Sequence, residues 1–272
     1  MNMADAREFL ADSEVRRKAL EDYRNSGFLV LRSVFTDSEI AGMRDTWSMI
    51  GESRRQDGKA PHRNLLMTHV SMPGVASVVR NQTLVRCIEA ILDGKIELIQ
   101  SQLMFGAPGA KGFSPHQDNF FNRAEPRDKI VAAWIAIDKV DRENGSLAAY
   151  PGSHVNGLVK TRRDMVYLLT RSLDIAKSLL RIVFPRGSGE PNDSGVVERY
   201  AYAETPPDVS AVALTMAPGS VAIMHGDLVH FSYPNQTSDR FRCSLVANYI
   251  RIGTRFVAGP LTRRTPFDVY AS

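Results

Sequence analysis

The chain is poor in cysteine: it has two in 272 residues, Cys87 and Cys243, far apart in sequence. That excludes a disulfide framework and a cysteine-based zinc site, and predicts free thiols in a reducing cytoplasm. Long hydrophobic runs are also missing. The longest, "IVAAWIAI", has the length of a buried strand and is far too short to cross a membrane. The first residues, "MNMADAREFLADSEVRRK", are charged throughout and lack the apolar centre of a secretory leader. Charge of one sign is not in large excess: 34 Lys and Arg stand against 30 Asp and Glu, a net charge of +4. With no aromatic residues interleaved among the basic ones, a nucleic-acid surface is not expected. Basic clusters such as "TRRD" and "LTRR" read as solvated faces, and a few arginines are better matched to an anionic small molecule. No repeat or linker divides the chain, so a single domain over residues 1–272 is expected.

What is present changes character once along the chain. Residues up to about 94 read as helical. "ADAREFLADSEVRRKALEDYRNSG" predicts one helix stopping at Gly27, and "FLVLRSVF" a short strand. "TDSEIAGMRDTWSMI" opens a helix with Thr36 and Glu39 at capping-box spacing. "VASVVRNQTLVRCIEAIL" predicts another helix, closed by Gly94. From about residue 95 to 252 strands dominate, separated by Gly and Pro turns, with a helical insertion at about 160–185. Helices first and many short strands afterwards predict a β-rich α+β fold: a jelly roll, or double-stranded β-helix, with the N-terminal helices packed against its sheet.

Six histidines are available for chemistry. "SPHQDNFF" places His116 and Asp118 one residue apart, so an extended backbone turns both to one side and Gln117 to the other. Two ligands can then share a metal, and "MHGDLVHFSYPNQTSDRFR" offers His230 as a distant third. Two histidines and one carboxylate leave three coordination positions open, which suits Fe(II) with a bidentate cosubstrate and O2. A second His-x-Asp at His225 and Asp227 makes His225 a rival to His230, although a polar residue at a strand end is its simpler reading. His154 in "PGSH" reads as a turn brace, and His62 and His69 as surface or loop positions. A catalytic zinc in a hydrolase, or a cupin-like binder without turnover, fits the same residue types. A hydrolase would need a general base near the metal, for which Glu125 and Asp128 are the weak nominees.

Taken together, "GFLVL", "IQSQLMF", "HQD", the tryptophan of "AAWIAID", "ENGSLAAYPGSH" and "HGDLVHFSYPN" with a following arginine resemble the phytanoyl-CoA dioxygenase family. These are Fe(II)- and 2-oxoglutarate-dependent oxygenases that include ectoine hydroxylases. The resemblance runs from about Tyr23 to Tyr249. It implies His116, Asp118 and His230 as iron ligands. It implies a cosubstrate pocket at Trp134, Ser232 and an arginine beyond Asn235, with Gln102, and less directly Gln100, on an inward strand face. The expected reaction consumes 2-oxoglutarate and O2, releases succinate and CO2, and hydroxylates a small-molecule substrate. "NQTSDRFR" is one residue longer than the usual spacing and leaves the arginine between Arg240 and Arg242. Arg240 and Arg242 share one face of an extended segment, so alternation does not separate them. Arg242 is favoured because it lies inside the regular strand, on the mixed face of "RFRCSLVANYI" with Ser244, Val246 and Asn248, whereas Arg240 stands at the strand's entrance after the turn "TSD". Substrate choice is expected to lie with "KAPHRNLLMTHVSM", Phe120 and Phe121, and residues 161–200, with Arg63 a candidate partner for an acidic group.

Overall fold

The computed structural model describes residues 3–56, 64–163, 201–259 and 262–271. A short strand β1 (Met3–Asp5) leads into helices α1 (Ala6–Ala11) and α2 (Ser13–Ser26). The sequence predicts one helix here. Asp12 splits it, because its carboxylate accepts from the N–H groups of Glu14 and Val15 and so caps a new helix. Gly27, at φ 82°, ends α2 and turns the chain into β2 (Phe28–Arg32). Helix α3 (Asp37–Gln56) starts with the expected capping box: the Thr36 N–H donates to Glu39 Oε2 at 2.7 Å, and the Glu39 N–H to Thr36 Oγ1 at 3.3 Å. After β3 (Leu65–Leu66) and α4 (Thr68–Ser71), the next predicted helix is again two, α5 (Pro73–Val79) and α6 (Gln82–Leu92). Asn81 divides them by capping α6 through Leu84 N–H.

The second part runs β4 (Ile96–Gly106), α7 (Asp118–Asn122), β5 (Ile130–Ala136), β6 (Leu147–Ala149), β7 (Thr161–Arg163), β8 (Ala201–Ala203), β9 (Val212–Ala213), β10 (Val221–His225), β11 (His230–Ser232) and β12 (Arg242–Arg251). The expected helical insertion opens instead on β7, which pairs with β8. The rest of that expectation falls on residues 164–200, outside the described residues. The strand expected across "VSAVALTM" shortens to the two residues of β9.

Seven strands form one sheet in the order β1-β2-β10-β5-β12-β4-β3, and β11-β6-β9 form a second. Alternation sorts their residues cleanly. Leu29, Leu31, Val131, Ala133, Ile135, Val221, Ile223, Leu245, Ala247 and Tyr249 point to the helices and pack with Phe9, Trp47, Leu84 and Ile88. The opposite face of the same strands carries Phe28, Val30, Ala132, Trp134, Ala136, Ala222 and Met224, which pack against Leu147 and Ala149 of the second sheet. A central strand buried on both faces has no room for a polar alternate, which is why "IVAAWIA" is apolar throughout. Among the described residues no helix is long and apolar enough to cross a membrane.

His69, expected at the surface, is buried at 2% exposure. Its N–H and Nδ1 both meet the Ser101 hydroxyl, at 3.0 and 2.8 Å. Burial disfavours the imidazolium and pushes His69 down to about 4. An unfolded histidine titrates near 6.5, so between about pH 6.5 and 4 the unfolded chain binds the extra proton. The stability that His69 contributes is therefore complete above pH 6.5 and is lost as pH falls toward 4. Urea unfolding of wild type and His69→Gln at pH 7.5 and at pH 4.5 should show the destabilisation by the substitution shrinking at the lower pH. A difference that stays constant or grows on acidification contradicts this account.

Candidate metal centre and anion pocket

His116 lies on the loop leading into α7, and His230 begins β11. The two backbones meet in an antiparallel bridge, with His116 N–H donating to the His230 carbonyl at 2.9 Å and the reverse bond at 3.0 Å. This bridge sets the two imidazoles side by side, with ring centroids 4.3 Å apart. Both rings are oriented in the same way. Nδ1 of His116 faces the Ser114 carbonyl at 2.8 Å, and Nδ1 of His230 faces the Leu228 carbonyl at 3.0 Å. A carbonyl only accepts, so each Nδ1 carries a proton, and in a neutral ring the lone pair is then on Nε2.

Both Nε2 atoms look toward one oxygen, Asp118 Oδ1, at 3.7 Å from His116 and 4.0 Å from His230. The three ligand atoms lie within 4.8 Å of one another. Burial pushes His230 down to about 4, and the neighbouring His116 adds to it, so the ring is neutral at physiological pH, as a metal ligand must be. Donor set and orientation fit a divalent metal held on one side by two imidazoles and a carboxylate. Gln117 points away, as expected. Its amide donates to the carbonyls of Gly157 and Asp227 and accepts from the Val159 N–H, which pins the loop between the two ligands.

On the inner face of the large sheet, Trp134, Val246 and Gln102 stand in one row across β5, β12 and β4. Arg242, at the start of β12, is 4% exposed. Its guanidinium lies 5.6 Å from the Trp134 ring centroid, and Nη1 has one long contact, 3.4 Å, to Ser244 Oγ. Its Nε has no hydrogen-bond partner, and among the described residues no carboxylate pairs with it. Burial pulls this arginine down to about 10, still charged at neutral pH. A buried cation without a counter-ion costs several kcal/mol, so the pocket fits an anion such as a carboxylate. Arg240 is different. It is an outer residue, already tied to Asp141 and to Glu143, the latter at 2.7 Å. Gly106 opposes Arg242 across the ladder, and a Cβ there would stand 3.0 Å from Arg242 Nε.

Ser232 shares the buried side of β11 with His230, and its hydroxyl accepts the Phe113 N–H at 2.9 Å. Phe121 of α7 stands 6.4 Å from the His116 ring. Several other sequence nominees lie elsewhere. His225, also pushed down to about 4 by burial, stacks near His154 at 4.9 Å and accepts the Asp227 N–H. His154 braces the end of α2 through the Arg24 carbonyl. Neither Glu125 nor Asp128 belongs to the metal cluster, and Asp128 pairs with Lys129. His62 and Arg63 are outside the described residues.

Two residues of the site escaped the sequence reading. Asn248 donates from Nδ2 to Asp118 Oδ2 at 3.2 Å. It was visible as a polar residue on the inward face of β12, but nothing in the sequence showed that α7 would come within its reach. Arg264, buried near the C-terminus, donates from Nε to Gln100 Oε1 at 2.7 Å. No local pattern separates it from its exposed neighbour Arg263.

Similar proteins place this site in context. The sequence profile of the phytanoyl-CoA dioxygenase family matches residues 23–243. A phytanoyl-CoA dioxygenase of Arabidopsis thaliana is 32% identical over 145 residues, 52% of this chain and 40% of that protein. A phytanoyl-CoA dioxygenase domain-containing protein 1 homolog of Caenorhabditis briggsae is 28% identical over 176 residues, 64% of this chain and 53% of that protein. The chain thus spans about half the length, or less, of these curated relatives. Among solved structures, the non-haem α-ketoglutarate-dependent carbocyclase SnoK from nogalamycin biosynthesis superposes with a TM-score of 0.66 at 17% identity, covering 98% of this chain and 95% of SnoK. EctD from S. alaskensis, solved with 2-oxoglutarate and 5-hydroxyectoine, gives a TM-score of 0.65 at 16% identity, covering 91% and 80%. At such identities the likeness is one of fold.

Gly112 lets the loop before His116 approach β11. A Cβ there would overlap the Ser232 carbonyl oxygen and stand 2.7 Å from the Tyr233 carbonyl carbon, both backbone atoms that cannot swing aside. Gly112→Ala should therefore push the loop that carries His116 away from β11, which carries His230. The expected outcome is a loss of about 2 kcal/mol or more in urea unfolding together with weakened divalent-metal binding by calorimetry. Wild-type values for both would contradict the close approach.

Proposed function

The chain belongs to the phytanoyl-CoA dioxygenase family, and from that premise we propose that it is a non-haem Fe(II)- and 2-oxoglutarate-dependent oxygenase that hydroxylates an unactivated C–H bond of a small-molecule metabolite. The unit responsible is one jelly-roll domain spanning residues 1–272, with the helices of its first part packed on the larger sheet. One observation carries the reading furthest: the buried guanidinium of Arg242, without a carboxylate partner among the described residues, in the same fold as the His116, Asp118 and His230 cluster. A dicarboxylate cosubstrate gives such a cation a direct use, which the chemistry of a zinc hydrolase or a simple metal-binding cupin does not itself require.

His116, Asp118 and His230 would hold the iron, which together with 2-oxoglutarate and O2 supplies the oxidising power, with succinate and CO2 as co-products. The chain's own residues then bind, orient and exclude water. Arg242 presents a guanidinium fork to the far carboxylate of 2-oxoglutarate. Ser232 keeps its hydroxyl hydrogen available to the same ligand, because the oxygen already accepts from Phe113. Trp134 walls the pocket, and Gln102 lines the same inner face in the same row across the ladder. The apolar residues shared by the two sheets keep bulk water from this side of the site.

Succinate formation with added Fe(II) and 2-oxoglutarate tests the reading. His116→Ala and His230→Ala should abolish it, and His225→Ala should leave much of it. Activity in His230→Ala with a dead His225→Ala would reverse the ligand assignment. Arg242→Ala should raise the 2-oxoglutarate KM steeply, through loss of a charge-assisted pair of roughly 2–4 kcal/mol. Arg240→Ala should change it less than about tenfold, since its partners are Asp141 and Glu143. The opposite ranking would place the clamp at Arg240.

A further inference from the structure

The Asp118 carboxylate has two oxygens with separate surroundings. Oδ1 faces the two imidazole Nε2 atoms, and Oδ2 receives the Asn248 amide at 3.2 Å. Asn248 itself is 2% exposed and fixed in β12 between Gln100 on β4 and Ala132 on β5. Ala132 is small enough to leave Asn248 a path across the inner face. The ladder also slips here: Asn248 pairs with Gln100 but Tyr249 pairs with Leu98, so β4 carries one extra residue, Ile99. Such a bulge re-aims neighbouring side chains, and this one sits beside the residue that reaches α7. Gln100 is held in turn by Arg264 Nε at 2.7 Å, so the flank of Asn248 is fixed too.

We propose that Asn248 is a positioning residue for the metal centre, holding Asp118 so that only Oδ1 serves as a ligand. This rests on the iron reading above. An unrestrained carboxylate can swing and offer both oxygens, taking up a coordination position that the cosubstrate and O2 require. With Oδ2 engaged by an N–H donor, Asp118 contributes one ligand atom.

Cobalt(II) titration of the wild-type protein without 2-oxoglutarate, followed by visible absorption, separates the possibilities. Asn248→Leu keeps the approximate side-chain shape and removes the amide, including the N–H that reaches Asp118. It should weaken Co(II) binding about ten- to a hundredfold and change the shape of the Co(II) band. His116→Ala should abolish binding. If Asn248→Leu matches wild type in affinity and band shape while His116→Ala does not bind, the positioning role is wrong and the iron reading stands. If wild type binds no Co(II), or His116→Ala binds it as well as wild type, both fail. A purely structural role for Asn248 would lower the melting temperature of the metal-free protein but leave the Co(II) affinity and band unchanged, and that result also overturns the proposal. Should Asn248→Leu not fold, the smaller Asn248→Ala is compared in its place, with the same expected loss.

Discussion

The site depends on a single backbone contact, the antiparallel bridge between His116 and His230. Two residues more than a hundred positions apart exchange both of their main-chain hydrogen bonds there, and their rings are thereby set 4.3 Å apart. Each ring is then aimed by the carbonyl two residues before it in the chain. Backbone geometry thus places and aims the two imidazoles. Gly112 permits the approach, because only a residue without a Cβ lets its loop lie against the Ser232 and Tyr233 backbone. Gln117 finishes the arrangement by tying the residue between the ligands to three separate backbone groups.

Burial acts on the two halves of the site in opposite ways. It keeps His230 neutral and ready to ligate. It also leaves Arg242 as a charge without a carboxylate partner among the described residues, an arrangement unfavourable in the free protein. Natural proteins tolerate such costs at functional sites, where a ligand compensates them. The contrast with Arg240 is instructive. Two residues away and chemically identical, Arg240 is already paired with two carboxylates, Asp141 and Glu143.

The large sheet serves both purposes because its strands are apolar on both faces but differ in kind. The helix-facing side carries Leu, Ile, Val and Tyr249, which pack a continuous core. The inner side carries Ala132, Ala136 and Ala222 around Trp134. Small residues there leave space between the two sheets, and the polar residues of β12 and β4 occupy that side. Stability and the site are thus divided between the two faces of the same strands.

Much was legible in the sequence where the signal is local or periodic. The Thr36 and Glu39 capping box, the place of Arg242 inside a regular strand, and the His116-x-Asp118 spacing all depend on neighbours within a few residues: the capping box forms, Arg242 is buried at the start of β12, and His116 and Asp118 come together with His230. Asp12 and Asn81 were legible as capping residue types, yet the helical periodicity around them concealed the breaks. The burial of His69, the pairing of Arg240 with Asp141, the reach of Asn248 to Asp118 and the grip of Arg264 on Gln100 were not legible. Each joins segments separated by tens of residues or more, and their distance apart is set by how the sheets stack, a quantity that no short stretch of sequence contains. The sequence by itself determined which residue types face inward and which could ligate. Only the tertiary structure decided which of them meet, because side-chain direction follows from backbone periodicity but proximity follows from packing.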